Sequence, residues 1–124
     1  MKEIFFKELS YKIMGVAFDV YNQLGPGLKE KYYQKGMASK FKQENINFIE
    51  QIPYKIKLDD DKLGSYVLDF NVENKIAVEL KVDTRFRKEY IKQVYGYLQK
   101  SGLNLGIIVL FTKDEVRQFR VLNS

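Results

Sequence analysis

Residues Leu105-Gly106-Ile107-Ile108-Val109-Leu110-Phe111 form an almost unbroken apolar run. A strand with no polar alternation is buried on both faces, and such strands sit inside sheets covered on both sides. The fold therefore has to supply covering helices as well as neighbouring strands. A chain of 124 residues is one domain's worth, read here as a single domain over residues 1–124. Nine Phe and nine Tyr provide the bulk for its core.

The covering helices are legible upstream. Leu9, Ile13, Ala17, Val20 and Leu24 recur every three or four residues, with Ser10 as a candidate N-cap. Gly25-Pro26-Gly27 stops that helix. A second spans about 28–43, with Tyr33, Met37 and Phe41 on one stripe, weakened but not broken by Gly36. After Asn45 the pattern becomes extended. Strands are expected at 48–58, 65–72 and 75–82, the first demoted to an edge or bulge by Pro53. The polar turn Asp59-Asp60-Asp61-Lys62-Leu63-Gly64 and the shorter Glu73-Asn74 join them. Residues 86–101 return to helical spacing, with Ile91, Val94, Tyr95 and Leu98 as the apolar stripe and Gly102 as C-cap. A last strand is expected at 115–122. The order is ααβββαββ, an α/β (α+β) class with a mixed central sheet flanked by helices. The crossover from 75–82 to 105–111 makes those two strands parallel.

The sequence has neither His nor Cys. That excludes thiol nucleophiles, disulfides, imidazole bases and zinc or haem sites built on those ligands. Any polar chemistry falls to carboxylates, Lys, Arg, Tyr, Ser, Thr or a bound ion, and carboxylates alone favour a hard cation. The formal charge of +5 suits an anionic partner. No apolar run is long enough to span a membrane. The acidic residues in Met1-Lys2-Glu3-Ile4-Phe5-Phe6-Lys7-Glu8 argue against a signal peptide, so a cytoplasmic location is expected.

The chemistry lies in the hairpin of residues 67–81. If it turns around Asn74, residues 72 and 76, 71 and 77, 69 and 79, and 67 and 81 lie opposite each other. Leu68, Phe70, Val72, Ile76, Val78 and Leu80 then share one face. Asp69 faces Glu79, with Lys81 two residues further on. Directly opposed carboxylates repel. A divalent cation removes the conflict, and an adjacent ammonium can orient water or stabilise developing negative charge. The plainer reading is a solvated outer face of an amphipathic hairpin.

The spacing Asp69…Glu79-x-Lys81, on a hairpin followed by a helix, resembles the PD-(D/E)XK nuclease superfamily. Gln93-Val94-Tyr95-Gly96-Tyr97 is similar to the Gln-x-x-x-Tyr element of its RecB-like branch. Gly25-Pro26-Gly27-Leu28-Lys29-Glu30-Lys31-Tyr32-Tyr33 is similar to the signature of the small GxxExxxY family, read here as Gly27, Glu30 and Tyr33. The resemblance runs from about Leu9 to Arg120. It departs at the proline that names the superfamily, since Leu68 precedes Asp69. It implies a restriction-endonuclease-like core in a single nuclease-like domain. Asp69, Glu79, the Leu80 carbonyl and Glu30 would hold Mg²⁺ or Mn²⁺, Lys81 would be the catalytic lysine, and Gln93 and Tyr97 would line the cleft.

By position alone, these last residues also fit structural roles. Glu30 falls in a helix's first turn, where the dipole favours an acid. Gln93, Tyr97 and Tyr90 share a helix face that could be a boundary layer beside the core, and Tyr33 belongs with the core stripe. Arg85, Arg87, Lys88, Lys92 and Lys29 surround the site and could hold phosphate without reading sequence. Three functions follow. The first is a Mg²⁺-dependent nuclease acting on DNA, with a homodimer compatible with so small a domain. The alternative is a catalytically silent nuclease-fold module that binds nucleic acid or a protein partner. The third is a purely structural protein.

Overall fold

The computed structural model describes residues 6–123; residues 1–5, and with them most of the segment bearing on a signal peptide, lie outside the described residues. The elements are α1 (Lys7–Leu24), α2 (Glu30–Gln43), β1 (Phe48–Leu58), β2 (Asp61–Val72), β3 (Ile76–Val82), α3 (Glu89–Ser101), β4 (Leu105–Phe111) and β5 (Val116–Leu122), in the expected ααβββαββ order. The sheet runs β1-β2-β3-β4-β5, with β3 and β4 parallel across the α3 crossover and the other neighbours antiparallel. Every residue of β4 is buried, as its apolar run requires. Pro53 sits on β1, an edge strand, where a missing N–H costs no ladder bond on the solvent side.

Helices α1 and α2 cover one face. Ile13, Ala17, Val20, Tyr33, Met37 and Phe41 pack there on Phe70, Val78, Leu80 and Val109. Helix α3 covers the other through Val94, Tyr97 and Leu98, which pack with Leu68, Ala77, Ile108 and Val121. A Cβ on Gly36 would stand 2.8 Å from Val20 Cγ1, so the glycine inside α2 is what lets α1 approach. Helix α1 ends at Gly25, at φ 78°, whose N–H bonds to the Tyr21 carbonyl at 2.8 Å.

Three local expectations are corrected. Ser10 is not an N-cap: α1 already begins at Lys7, and Ser10 is buried within its first turns, accepting a hydrogen bond from Arg120 at 3.3 Å. The polar turn shrinks to Asp59-Asp60, because β2 begins at Asp61 and pairs back along β1. The buried stripe of α3 is Val94, Tyr97 and Leu98 with Tyr90 packed beside it, while Ile91 is exposed. Tyrosines can enter a core when their hydroxyls find partners, and Tyr97 accepts a hydrogen bond from Asn71 at 3.0 Å.

The hairpin register is the expected one near its turn: Val72 pairs with Ile76, Asn71 with Ala77, and Phe70 with Val78. There the ladder stops. The expected pairs of Asp69 with Glu79 and Val67 with Lys81 do not form as strand pairs, because β2 changes face at Asp69. Phe70 packs under α1 and α2, whereas Leu68, two residues away, packs under α3. Its neighbour β1 turns over at the same level: Phe48 packs on the first face, Ile52 and Tyr54 on the second, and Gln51 between them has φ 54°. The six apolar side chains therefore do not share one face. The paired β1 and β2 leave the sheet at this point, and β3 continues beside β4 alone.

Candidate active site

Where β2 and β3 separate, the buried backbone amides of Asp69 and Leu80 are met by side chains. Buried amides need partners, and the two acids supply them. The Leu80 N–H donates to Asp69 Oδ2 at 2.7 Å, and the Asp69 N–H donates to Glu79 Oε1 at 3.1 Å. Asp69 and Glu79 are 5% and 3% exposed. The two acids are thus together, on one site, although not as an opposed strand pair.

The remaining oxygens face polar side chains. Gln51 Nε2 donates to Asp69 Oδ1 at 3.2 Å. The Tyr66 hydroxyl donates to Glu79 Oε2 at 3.2 Å and accepts from Lys81 Nζ at 3.0 Å. Lys81 Nζ is 3.4 Å from Glu79 Oε2, with its side chain 16% exposed. From α2, Gln34 Nε2 donates to the Asp69 carbonyl at 3.3 Å.

Glu30, the first residue of α2, completes the acidic group electrostatically. Asp69 repels it electrostatically and Lys81 attracts it. Its position depends on Tyr33, the next residue of the same motif that is fully buried. The Tyr33 hydroxyl donates to the Gly25 carbonyl at 2.7 Å and its ring stacks on Phe111 at 4.3 Å, which pins the Gly-Pro-Gly turn leading into α2.

Burial is the largest influence on these acids. It pushes Glu30 up to about 7, with Asp69 adding repulsion. It also raises Asp69 and Glu79, the latter further raised by Asp69 and partly relieved by Lys81. Burial, then Glu79, likewise raises the Tyr66 hydroxyl, which stays protonated and remains a donor. Three acids thus share one ammonium in a poorly solvated place, an arrangement that favours a further positive charge.

Among the described residues, no three His, Cys, Asp or Glu side chains converge closely enough to hold an ion by themselves. Mg²⁺ does not need three, because it commonly binds through one or two carboxylates and keeps waters. An all-oxygen pair of buried, mutually repelling carboxylates fits such a cation.

The other expected site residues lie further out. Tyr97 is buried, with its ring edge-on to Tyr54 at 5.8 Å. Gln93 accepts the Tyr54 hydroxyl on its backbone carbonyl, and its Oε1 is buried with no partner among the described residues. Neither bonds to Asp69, Glu79 or Lys81. Lys29, Arg85, Lys88 and Lys92 are exposed, but Arg87 is held by Asp83 at 2.6 Å. That contact draws the Asp83 carboxyl well below its usual range. Gln34, Gln51 and Tyr66 escaped the sequence reading. Tyr66, three residues before Asp69, falls on the face of Glu79 only because β2 turns over between them.

Fold and site together define a protein with an acid-acid-lysine centre at the mouth of a β-hairpin, in a mixed sheet layered between helices. A family model of the PD-(D/E)XK nuclease superfamily matches residues 7–121, and the chain belongs to that superfamily. Among solved structures, it is similar to SSO0001, with a TM-score of 0.59 and 16% identity over 95% of this chain. That likeness concerns the fold, which is restriction-endonuclease-like, and the chain spans 57% of the length of SSO0001. No curated protein matches it. Among the described residues no helix is long and apolar enough to cross a membrane.

Proposed function

We propose that this protein is a metal-dependent nuclease that hydrolyses phosphodiester bonds in DNA. The observation that carries the reading is the burial of two carboxylates at one hairpin opening, Asp69 on the Leu80 N–H and Glu79 on the Asp69 N–H, with the Lys81 ammonium 3.4 Å from Glu79. Asp69 and Glu79, with the Leu80 carbonyl and waters, would hold Mg²⁺ or Mn²⁺, and Glu30, expected from the sequence as a further ligand, would add negative charge nearby instead of ligating. When bound, the ion supplies Lewis-acid polarisation of the phosphate and a more acidic water. Lys81 donates hydrogen bonds that orient the attacking water and neutralise charge developing on the phosphate oxygens. The water oxygen bonds to phosphorus and releases a proton to solvent, the bond to the leaving ester oxygen breaks, and that oxygen takes up a proton from solvent water. Exposed Lys29, Arg85, Lys88 and Lys92 hold the phosphate backbone without reading bases.

The Gly27, Glu30 and Tyr33 pattern, with Glu30 beside the acid pair, supports a place in the GxxExxxY family and the RecB-like branch. Residues 1–124 then act as one nuclease domain in the cytoplasm, and pairing of two copies would lengthen the nucleic acid it covers. One observation favours a second reading. Both carboxylates already satisfy backbone amides, so they could persist in a silent binding module. Incubation with single- and double-stranded DNA and RNA in Mg²⁺ or Mn²⁺ separates the two. Cleavage that falls about 10²- to 10³-fold in Lys81→Ala supports the nuclease. Salt-sensitive binding without turnover supports the module.

A further inference from the structure

Lys81 is not simply an amine next to an acid. Its Nζ lies 5.0 Å from the ring centre of Tyr90 and 5.7 Å from that of Tyr66, and 3.0 Å from the Tyr66 hydroxyl. The two rings come from different elements, Tyr66 from β2 and Tyr90 from α3. Each is fixed from behind. Tyr66 packs on Tyr54 at 5.7 Å between ring centres, and Tyr54 is tied to the Gln93 carbonyl. The Tyr90 hydroxyl bonds to Asp83, which Arg87 also grips at 2.6 Å and whose N–H reaches the Phe111 carbonyl at 3.2 Å.

From this we infer that Tyr66 and Tyr90 are positioning residues that clamp the Lys81 ammonium at the site, resting on the reading of Lys81 as the catalytic amine. A lysine stem is flexible, and a misplaced catalytic group loses rate steeply. The contact with Glu79 alone holds it poorly, being long and shared with a carboxylate that a cation would also engage. The face of Tyr90 attracts an ammonium whatever Glu79 is doing, whereas Tyr66 meets Lys81 through its hydroxyl, with the ammonium beyond the ring edge. Tyr66 adds direction by accepting from Lys81 while donating to Glu79.

Two measurements test this. The first needs no activity. The Lys81 ε-methylene resonance, assigned by its loss in Lys81→Arg, is expected upfield of solvent-exposed lysines. It should stay there in Tyr90→Phe, which keeps the ring, and move to the exposed position in Tyr90→Leu. An exposed position in the wild type overturns the clamp. The second is cleavage under single and multiple turnover. Tyr66→Phe should lower kcat about 10- to 100-fold with KM within about twofold, and should add no loss when Lys81 is already Ala. An equal loss in both backgrounds shows Tyr66 acting through Glu79 or the fold, and overturns its role. A shifted Lys81 resonance in a protein that cleaves nothing overturns the nuclease reading and leaves the clamp in place.

Discussion

Asp69 and Glu79 each accept an amide across the hairpin opening: Asp69 Oδ2 takes the Leu80 N–H at 2.7 Å and Glu79 Oε1 takes the Asp69 N–H at 3.1 Å. The reciprocity holds two like charges together at the point where β2 and β3 separate. It also gives each acid one oxygen committed to the backbone and one turned to Gln51 or to Tyr66 and Lys81. Structure and electrostatic cost are thus concentrated on the same pair.

Neutralising one member should relieve the cost while keeping the acceptor. Asp69→Asn retains an oxygen for the Leu80 N–H and removes the repulsion on Glu79. In chelator at pH 8, it is expected to melt a few degrees above the wild type, about 1 kcal/mol more stable. It should also lose the stabilisation that Mg²⁺ or Mn²⁺ gives the wild type, since a ligand that binds only the folded state raises its Tm. Thermal melts with and without cation check both halves. A variant no more stable than the wild type, and equally cation-responsive, would show that the pair neither repels nor binds.

Glu30 makes stability depend on pH. Its folded pKa, about 7, lies above the ordinary 4.5. Between those values the folded state keeps a proton that the unfolded state has released. Its contribution is therefore full below about 4.5 and is lost as pH rises through about 7. Without cation the protein should melt higher at pH 5 than at pH 8, and Glu30→Gln should flatten that difference. Asp69 and Glu79 act with the same sign. A melting temperature that climbs from pH 5 to 8 in chelator contradicts this.

Gly106 marks where α3 meets β4. A Cβ there would run into Val94 Cγ1, and both residues are buried. Val is stiff at χ1 and cannot swing away cheaply. Gly106→Ala should cost about 1–3 kcal/mol. Adding Val94→Ala should recover part of it, so the two losses will not sum in denaturant titrations.

The basic residues around the site should not contribute equally. Lys88 and Lys92 are exposed and unpaired among the described residues, whereas Arg87 is engaged by Asp83. Nucleic-acid affinity measured against salt should show its slope falling by about one for Lys88→Ala or Lys92→Ala. Arg87→Ala should change it less. Equal slopes for all three would show that Arg87 leaves Asp83 for phosphate.

Sequence patterning made most of the frame legible. The apolar run of β4, the helical spacing of α1 and α2, the stop at Gly25, and the register from Val72–Ile76 to Phe70–Val78 are local consequences of side-chain periodicity and turn chemistry. Asp69, Glu79 and Lys81 stood out because opposed acids are unusual inside a sheet. Tyr97 and the α3 stripe were harder. A tyrosine reads as polar or apolar until its hydroxyl's partner is known, here Asn71 from a distant strand.

What the chain order alone determined was the set of elements, the covering of β4 and the presence of two acids and a lysine near one another, because hydrophobic period and turn residues act over a few positions. Only the tertiary structure decided how those groups meet. Leu68 and Phe70 are both apolar, so no alternation reveals that they serve opposite faces. The turnover at Gln51 and Asp69 arises from β1 and β2 packing together beneath α3 on one side and α2 on the other. It ends the ladder, frees the two amides that the acids accept, and brings Tyr66 onto Lys81.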